Sequence, residues 1–172
     1  MKKILIITAD QCDDLETMYP YYRMIEEGYC VDVASFEKTT IKSKYHYEIY
    51  SNVLLSEINY KLYDGLILPG GSAPEKLRLN EDVLNVIRKF SEINKPIAAI
   101  CHGQQMLISA RILKNKKATC YPGIKDDLIN AGGVYIDEKV VVDGMLITSR
   151  RPNDLPFFMK EFLRVLYENQ IR

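Results

Sequence analysis

Short runs of consecutive apolar residues alternate with longer stretches whose apolar positions recur every three or four residues, along nearly the whole chain. Residues 3–8 form the first run, Lys-Ile-Leu-Ile-Ile-Thr, which is β-branched and suited to a fully buried parallel strand. Asp13 or Asp14 then caps a predicted helix reaching residue 27, with apolar positions Leu15, Met18, Tyr22 and Ile25. Pro20 interrupts that stretch, so a kink or a late start is expected, and Gly28 ends it.

The same reading continues to the end of the chain. Strands are predicted over 30–36, 64–69, 97–100 and 118–121, with late strands over 134–136, 140–142 and 146–148. Helices are predicted over 81–93, 103–110 and 124–131, and a terminal helix capped by Asp154 runs through 167. Residues 41–53 are polar and aromatic and suit a small hairpin or irregular edge, and Asp143-Gly144 reads as a hairpin turn. Strands alternating with helices predict an α/β, doubly wound, mostly parallel sheet with helices on both faces. Ligands in such sheets bind at the carboxyl ends of the strands. No repeat, linker or low-complexity segment divides residues 1–172, so a single domain is expected.

Composition narrows the function classes. The chain is 47% hydrophobic and 27% charged, ordinary values for a globular protein. Its 23 basic and 23 acidic side chains cancel, leaving no basic field for nucleic acid or a membrane surface. The first apolar run is too short for a signal peptide, and no apolar stretch approaches the ~20 residues of a membrane helix. A cytoplasmic location is expected. The four cysteines, Cys12, Cys30, Cys101 and Cys120, form no C-x-x-C pair, and there are only two histidines, His46 and His102. Neither a zinc site nor any other metal or cofactor is expected. Cys12, Cys30 and Cys120 read as buried, inert thiols, and His46 as a surface residue.

Cys101 reads differently. In Ala98-Ala99-Ile100-Cys101-His102-Gly103 a buried strand ends and a helix begins at once, with small residues at Ala99 and Gly103. This is the small-x-nucleophile-x-small pattern of a nucleophile elbow, whose turn is too tight for larger flanking residues. The helix N-terminus favours a thiolate. The glycines of Leu68-Pro69-Gly70-Gly71 and the His102 amide are candidate oxyanion-hole donors. His102 is the candidate base, and Glu16, Glu75, Asp13 and Asp14 are the candidate orienting carboxylates.

Together these segments resemble the ThiJ/PfpI superfamily, closest to its intracellular-protease PfpI branch. The resemblance is carried by Asp14-Leu15-Glu16, Tyr19-Pro20-Tyr21, Ala34-Ser35-Phe36-Glu37, Leu68-Pro69-Gly70-Gly71, Ala73-Pro74-Glu75 and Ile100-Cys101-His102-Gly103. It continues through 121–127 and from Ser149-Arg150 to Asp154-Leu155. It implies a flavodoxin-like fold, a PfpI-like domain related to the class I glutamine amidotransferases, and a homo-oligomer, either a dimer or a hexamer. It also implies that Cys101 is the nucleophile, that His102 is its base, and that a Glu75 from an adjacent subunit orients His102. Glu16 would contact the sulfur from below and Tyr121 would line the site. The chain departs from the usual Cys-His-Gly-Pro of PfpI relatives by carrying Gln104 in place of the proline.

Three functions follow from these residues. Cys101 could add to a small aldehyde such as methylglyoxal, or to a glycated protein, giving a glutathione-independent glyoxalase or deglycase. It could instead cleave peptides as a cysteine peptidase. A non-enzymatic redox sensor or chaperone is the third reading. An amidotransferase would need a His-x-Glu pair late in the chain, and no histidine follows His102.

Overall fold

The first strand, β1 (Lys3–Ile7), is buried from its second residue onward and becomes the middle of the molecule. The computed structural model of the chain describes residues 2–171. After β1 come α1 (Asp14–Glu26), β2 (Cys30–Ser35), the antiparallel hairpin β3 (Thr40–Lys42) and β4 (Glu48–Tyr50), and β5 (Val53–Leu54). Then follow β6 (Gly65–Leu68), α2 (Ala73–Leu77), α3 (Glu81–Glu92), β7 (Ile97–Ile100) and α4 (Gln104–Ala110). The chain ends with β8 (Lys117–Ala118), α5 (Lys125–Asn130), β9 (Val134–Tyr135), β10 (Val140–Asp143), β11 (Leu146–Ser149) and α6 (Leu155–Ile171).

Seven strands form one sheet in the order β10-β11-β7-β6-β1-β2-β5, and only the edge pair β10–β11 is antiparallel. The parallel core β2-β1-β6-β7-β11 has the flavodoxin-like order of a doubly wound sheet. From β1 the chain winds first toward β2, then returns to the other side through β6. The strand order therefore reverses between β1 and β6, and their carboxyl ends open the crevice where such sheets bind ligands. The core strands read Ile4–Ile7, Leu66–Leu68 and Ala98–Ile100 without exposed positions, because helices cover both faces.

Several expectations shift. The apolar positions Leu15, Tyr22 and Ile25 of α1 face outward, 61%, 55% and 45% exposed, while Glu16, Thr17, Pro20 and Met24 face the sheet. Two helical stripes compete on α1, and the one carrying the glutamate wins because the site buries it. Pro20 stands inside the helix without ending it. The strand expected over 118–121 stops at Ala118. Helix α2 was hidden by its five-residue length. The Asp154 carboxylate pairs with the Arg150 guanidinium at 2.9 and 3.2 Å instead of capping α6. Cys30 is exposed at the start of β2, not buried. His46 is exposed on the hairpin, as expected. Among the described residues no helix is long and apolar enough to cross a membrane, and no group of three or more His, Cys, Asp or Glu could hold a metal ion.

Candidate active site

Strand β7 ends at Ile100 in extended backbone, and Cys101 follows with φ +61°. A non-glycine residue in this left-handed region is strained, and such strain is held only where the surroundings over-determine it. Here Gly103 is what permits the turn: a Cβ on it would lie 2.2 Å from the Leu68 carbonyl oxygen. The small residue two positions after the cysteine is therefore required by the close approach of β6. Cys101 to Gly103 form a 3-10 turn before α4 begins at Gln104.

Glu16 reaches the cysteine from α1. Asp13 is the N-cap of this helix, its Oδ1 accepting from the Leu15 and Glu16 amides at 3.1 Å each. Glu16 is fully buried, and its Oε2 accepts the Gly70 amide at 2.9 Å. Oε1 makes no hydrogen bond of good geometry, and the carboxyl lies against the Cys101 thiol. Burial, helped by the charge of Asp13, raises the Glu16 pKa to about 8. The group is thus protonated at neutral pH.

The Cys101 thiol is also pushed upward, by burial first and then by the charge of Glu16. The expected thiolate stabilisation by a helix end is outweighed; the His102 amide, which donates to the sulfur, pulls the other way. With Glu16 protonated, the second cause of the upward push disappears. The carboxyl then stands beside the sulfur as a proton donor rather than a charge.

His102 places Nδ1 3.4 Å from the Cys101 sulfur. Burial lowers its pKa, and the charge of Glu75 in the same chain opposes that. The imidazole is neutral near pH 7 and free to accept a proton. Tyr121 stacks on it with ring centroids 4.7 Å apart and planes inclined by 28°. The Tyr121 amide donates to the Cys101 carbonyl at 3.3 Å.

The amides expected as oxyanion donors have other partners here. The Gly70 amide is turned onto Glu16, and the His102 amide onto the sulfur. Gly71, at φ +80°, packs against the Gln11–Asp13 backbone, where a Cβ would lie 2.4 Å from the Gln11 oxygen. This glycine pair is thus accounted for by close packing and by holding Glu16. The structure brings Cys101, His102, Glu16, Gly70 and Tyr121 together, and leaves Glu75 exposed on α2 without a hydrogen bond to His102 among the described residues.

The DJ-1/PfpI family model matches residues 2–165. The chain belongs to the DJ-1/PfpI family. Among its relatives, the deglycase PfpI of Pyrococcus furiosus is 49% identical over 164 residues, 95% of this chain and 99% of the relative. The deglycase PH1704 of Pyrococcus horikoshii is 48% identical over the same shares. YraA of Bacillus subtilis, whose name makes it a candidate cysteine protease, is 37% identical over 166 residues, covering 96% of this chain and 98% of YraA. A crystal structure of an Anabaena variabilis protein with DJ-1/ThiJ/PfpI-like and ferritin-like domains superposes with a TM-score of 0.94 at 34% identity. That match covers 96% of this chain and 48% of the two-domain one. Drosophila melanogaster DJ-1beta superposes at 0.88 with 28% identity, over 97% and 89% of the two chains.

Two members of this DJ-1/PfpI site were beyond the sequence pattern. Lys44, at the tip of the β3–β4 hairpin, acts on Glu16 through its charge; it lies in an irregular stretch that carries no periodic signal. The bonds of the buried Gln104 side chain depend on tertiary contacts, although its replacement of a proline is visible in the sequence.

Proposed function

We propose that this chain is a cysteine-dependent deglycase with glutathione-independent glyoxalase chemistry. The observation that carries it is a fully buried Glu16 carboxyl, its pKa raised to about 8, against the thiol of a strained Cys101. Neutral His102 takes the thiol proton as the sulfur adds to the aldehyde carbon of methylglyoxal. Glu16 gives its proton to the carbonyl oxygen, and a hemithioacetal forms. The resulting carboxylate removes the proton from that carbon while protonated His102 gives its proton to the ketone oxygen, forming an enediol; Glu16 then protonates the neighbouring carbon and takes back the hemithioacetal hydroxyl proton, giving the lactoyl thioester. Water hydrolyses the thioester to lactate and frees the thiol. On a glycated amine the sulfur displaces the amine from its hemiaminal carbon, the amine leaves with a proton, and the same hemithioacetal results. The names of the two Pyrococcus relatives support this reading.

A peptidase is the second reading, favoured by the His102 nitrogen 3.4 Å from the sulfur and by the name of YraA. It is ranked second because no carboxylate hydrogen-bonds His102 among the described residues, whereas a proton-carrying acid beside the sulfur suits transfer between adjacent carbons.

The outward stripe Leu15, Tyr19, Tyr22 and Ile25 on α1 supports a homo-oligomer, a dimer or a hexamer, in which a neighbour's Glu75 could complete the site. We place the protein in the cytoplasm, the compartment in which cysteine thiols are kept reduced. Methylglyoxal-modified protein and fluorogenic peptides, assayed in parallel with wild type and Cys101→Ser, separate the readings. Release of unmodified amine without peptide cleavage is expected; peptide cleavage alone overturns the deglycase.

A further inference from the structure

The segment carrying Tyr121 has lost its strand partners. Strand β8 ends at Ala118, and Thr119 to Tyr121 run on outside any sheet. This segment is nonetheless held across the top of β7 and β11. The Thr119 amide donates to Thr148 Oγ1 at 2.9 Å, and the Tyr121 amide donates to the Cys101 carbonyl. The third tie is Gln104. Its Nε2 lies 2.8 Å from the Ser149 carbonyl, 2.9 Å from that of Thr119 and 3.2 Å from that of Ala99.

Three carbonyls converging on one terminal atom require that atom to be the amide nitrogen. Its two hydrogens serve the two nearer oxygens, with the Ala99 carbonyl sharing one of them. Gln104 is fully buried, and its own Oε1 has no hydrogen-bond partner among the described residues. A buried amide that leaves its oxygen unsatisfied in order to donate to three backbone segments is placed for those segments. Two of them lead into the site: Ala99 is two residues before Cys101 and Thr119 two before Tyr121, while Ser149 ends β11.

We propose that Gln104 is a positioning residue that fixes Tyr121 against the His102 ring, and through that stack sets the direction of the base toward the Cys101 sulfur. It touches none of the reacting atoms. A strand would have held this segment by a ladder of backbone hydrogen bonds; here side chains from α4 and β11 hold Thr119, and one backbone bond joins Tyr121 to Cys101. A residue without a side-chain amide at this position could not make these three bonds. The consequence for turnover rests on the enzymatic reading above; the geometric claim does not.

The test uses Gln104→Met, which keeps length and removes both donors, together with Tyr121→Ala and the pair combined. The first readout is the NMR shift of the His102 ring protons, which Tyr121 shields by stacking, measured without substrate. Gln104→Met is expected to move these protons toward their unstacked position and to lower turnover about tenfold through kcat rather than KM. The double variant should lose little more than Tyr121→Ala alone, because one residue acts through the other. Unmoved His102 protons in a folded Gln104→Met, or losses that multiply in the double variant, overturn the proposal. Should Gln104→Met fail to fold, Thr148→Val cuts the other side-chain tie of the same segment. It must shift the His102 protons likewise, and an unchanged spectrum counts against the assignment. If the shifts move but wild type turns over no glycated substrate, the enzymatic reading fails and the positioning stands.

Discussion

Glu16 Oε2 accepts the amide of Gly70 at 2.9 Å, which ties the first turn of α1 to the loop after β6 beneath Cys101. The bond explains why position 70 is glycine: a Cβ there would lie 2.5 Å from that oxygen and 2.9 Å from the Cys101 Cβ. It also explains how a carboxyl is kept in an apolar site, with one oxygen satisfied by backbone and the group left protonated.

Glu16→Gln therefore changes the reactivity of the thiol. Above about pH 8, where Glu16 is ionised, its charge is the second cause of the raised Cys101 pKa, and the substitution removes it while burial stays. The pH midpoint for alkylation of Cys101 by iodoacetamide is expected to fall by about one unit or more. Turnover should fall by at least ~100-fold, since the amide cannot carry a proton between carbons. A midpoint that rises would contradict the coupling.

Stability should respond to pH through the same group. The unfolded carboxyl loses its proton near 4.5, and the folded one keeps it to about 8. Between those values the folded state binds more protons than the unfolded, so wild-type stability falls as pH rises through the window. Glu16→Gln lacks this dependence. In urea titrations its stability should gain on wild type from pH 4.5 to about 8, then hold a constant difference.

Gly70→Ala and Gly103→Ala should fail differently. At Gly70 the obstacles are the end of the Glu16 side chain, which can move, and the Cys101 Cβ and His102 amide nitrogen at 2.9 and 3.0 Å, so the reacting groups themselves are displaced. That variant is expected to fold and to lose activity. At Gly103 the obstacle is the Leu68 carbonyl, which is backbone. That variant should lose about 3 kcal/mol of stability or more, measured by chemical denaturation.

Arg150→Ala leaves the buried Asp154 carboxylate without its partner at the start of α6. The expected cost is about 3 kcal/mol, seen as a lower melting temperature. Asp154→Asn should cost less, because it leaves no buried charge.

The sheet and the elbow were legible because both are local patterns. The β1 run and the sequence around Cys101 state buried strand and tight turn within a few residues. What periodicity could not decide was which stripe of α1 faces inward. Leu15, Tyr22 and Ile25 are the more apolar set, yet Glu16, Pro20 and Met24 are buried. The inward stripe is held by long-range contacts, the Glu16 bond to Gly70 and the packing of Met24 in the core. The expected strand at Cys120 failed for the same kind of reason. Its residues look like a strand, but Gln104 and Thr148 side chains replace the ladder. The partner of the Gly70 amide, Glu16, lies 54 residues away, so the sequence around the glycine pair could not show it.

Product analysis with methylglyoxal tests the central claim most directly. Wild type is expected to form lactate without glutathione, with a transient Cys101 adduct visible by mass spectrometry. Cys101→Ala should form none and carry no adduct at position 101. Lactate formation by Cys101→Ala at the wild-type rate would contradict the account.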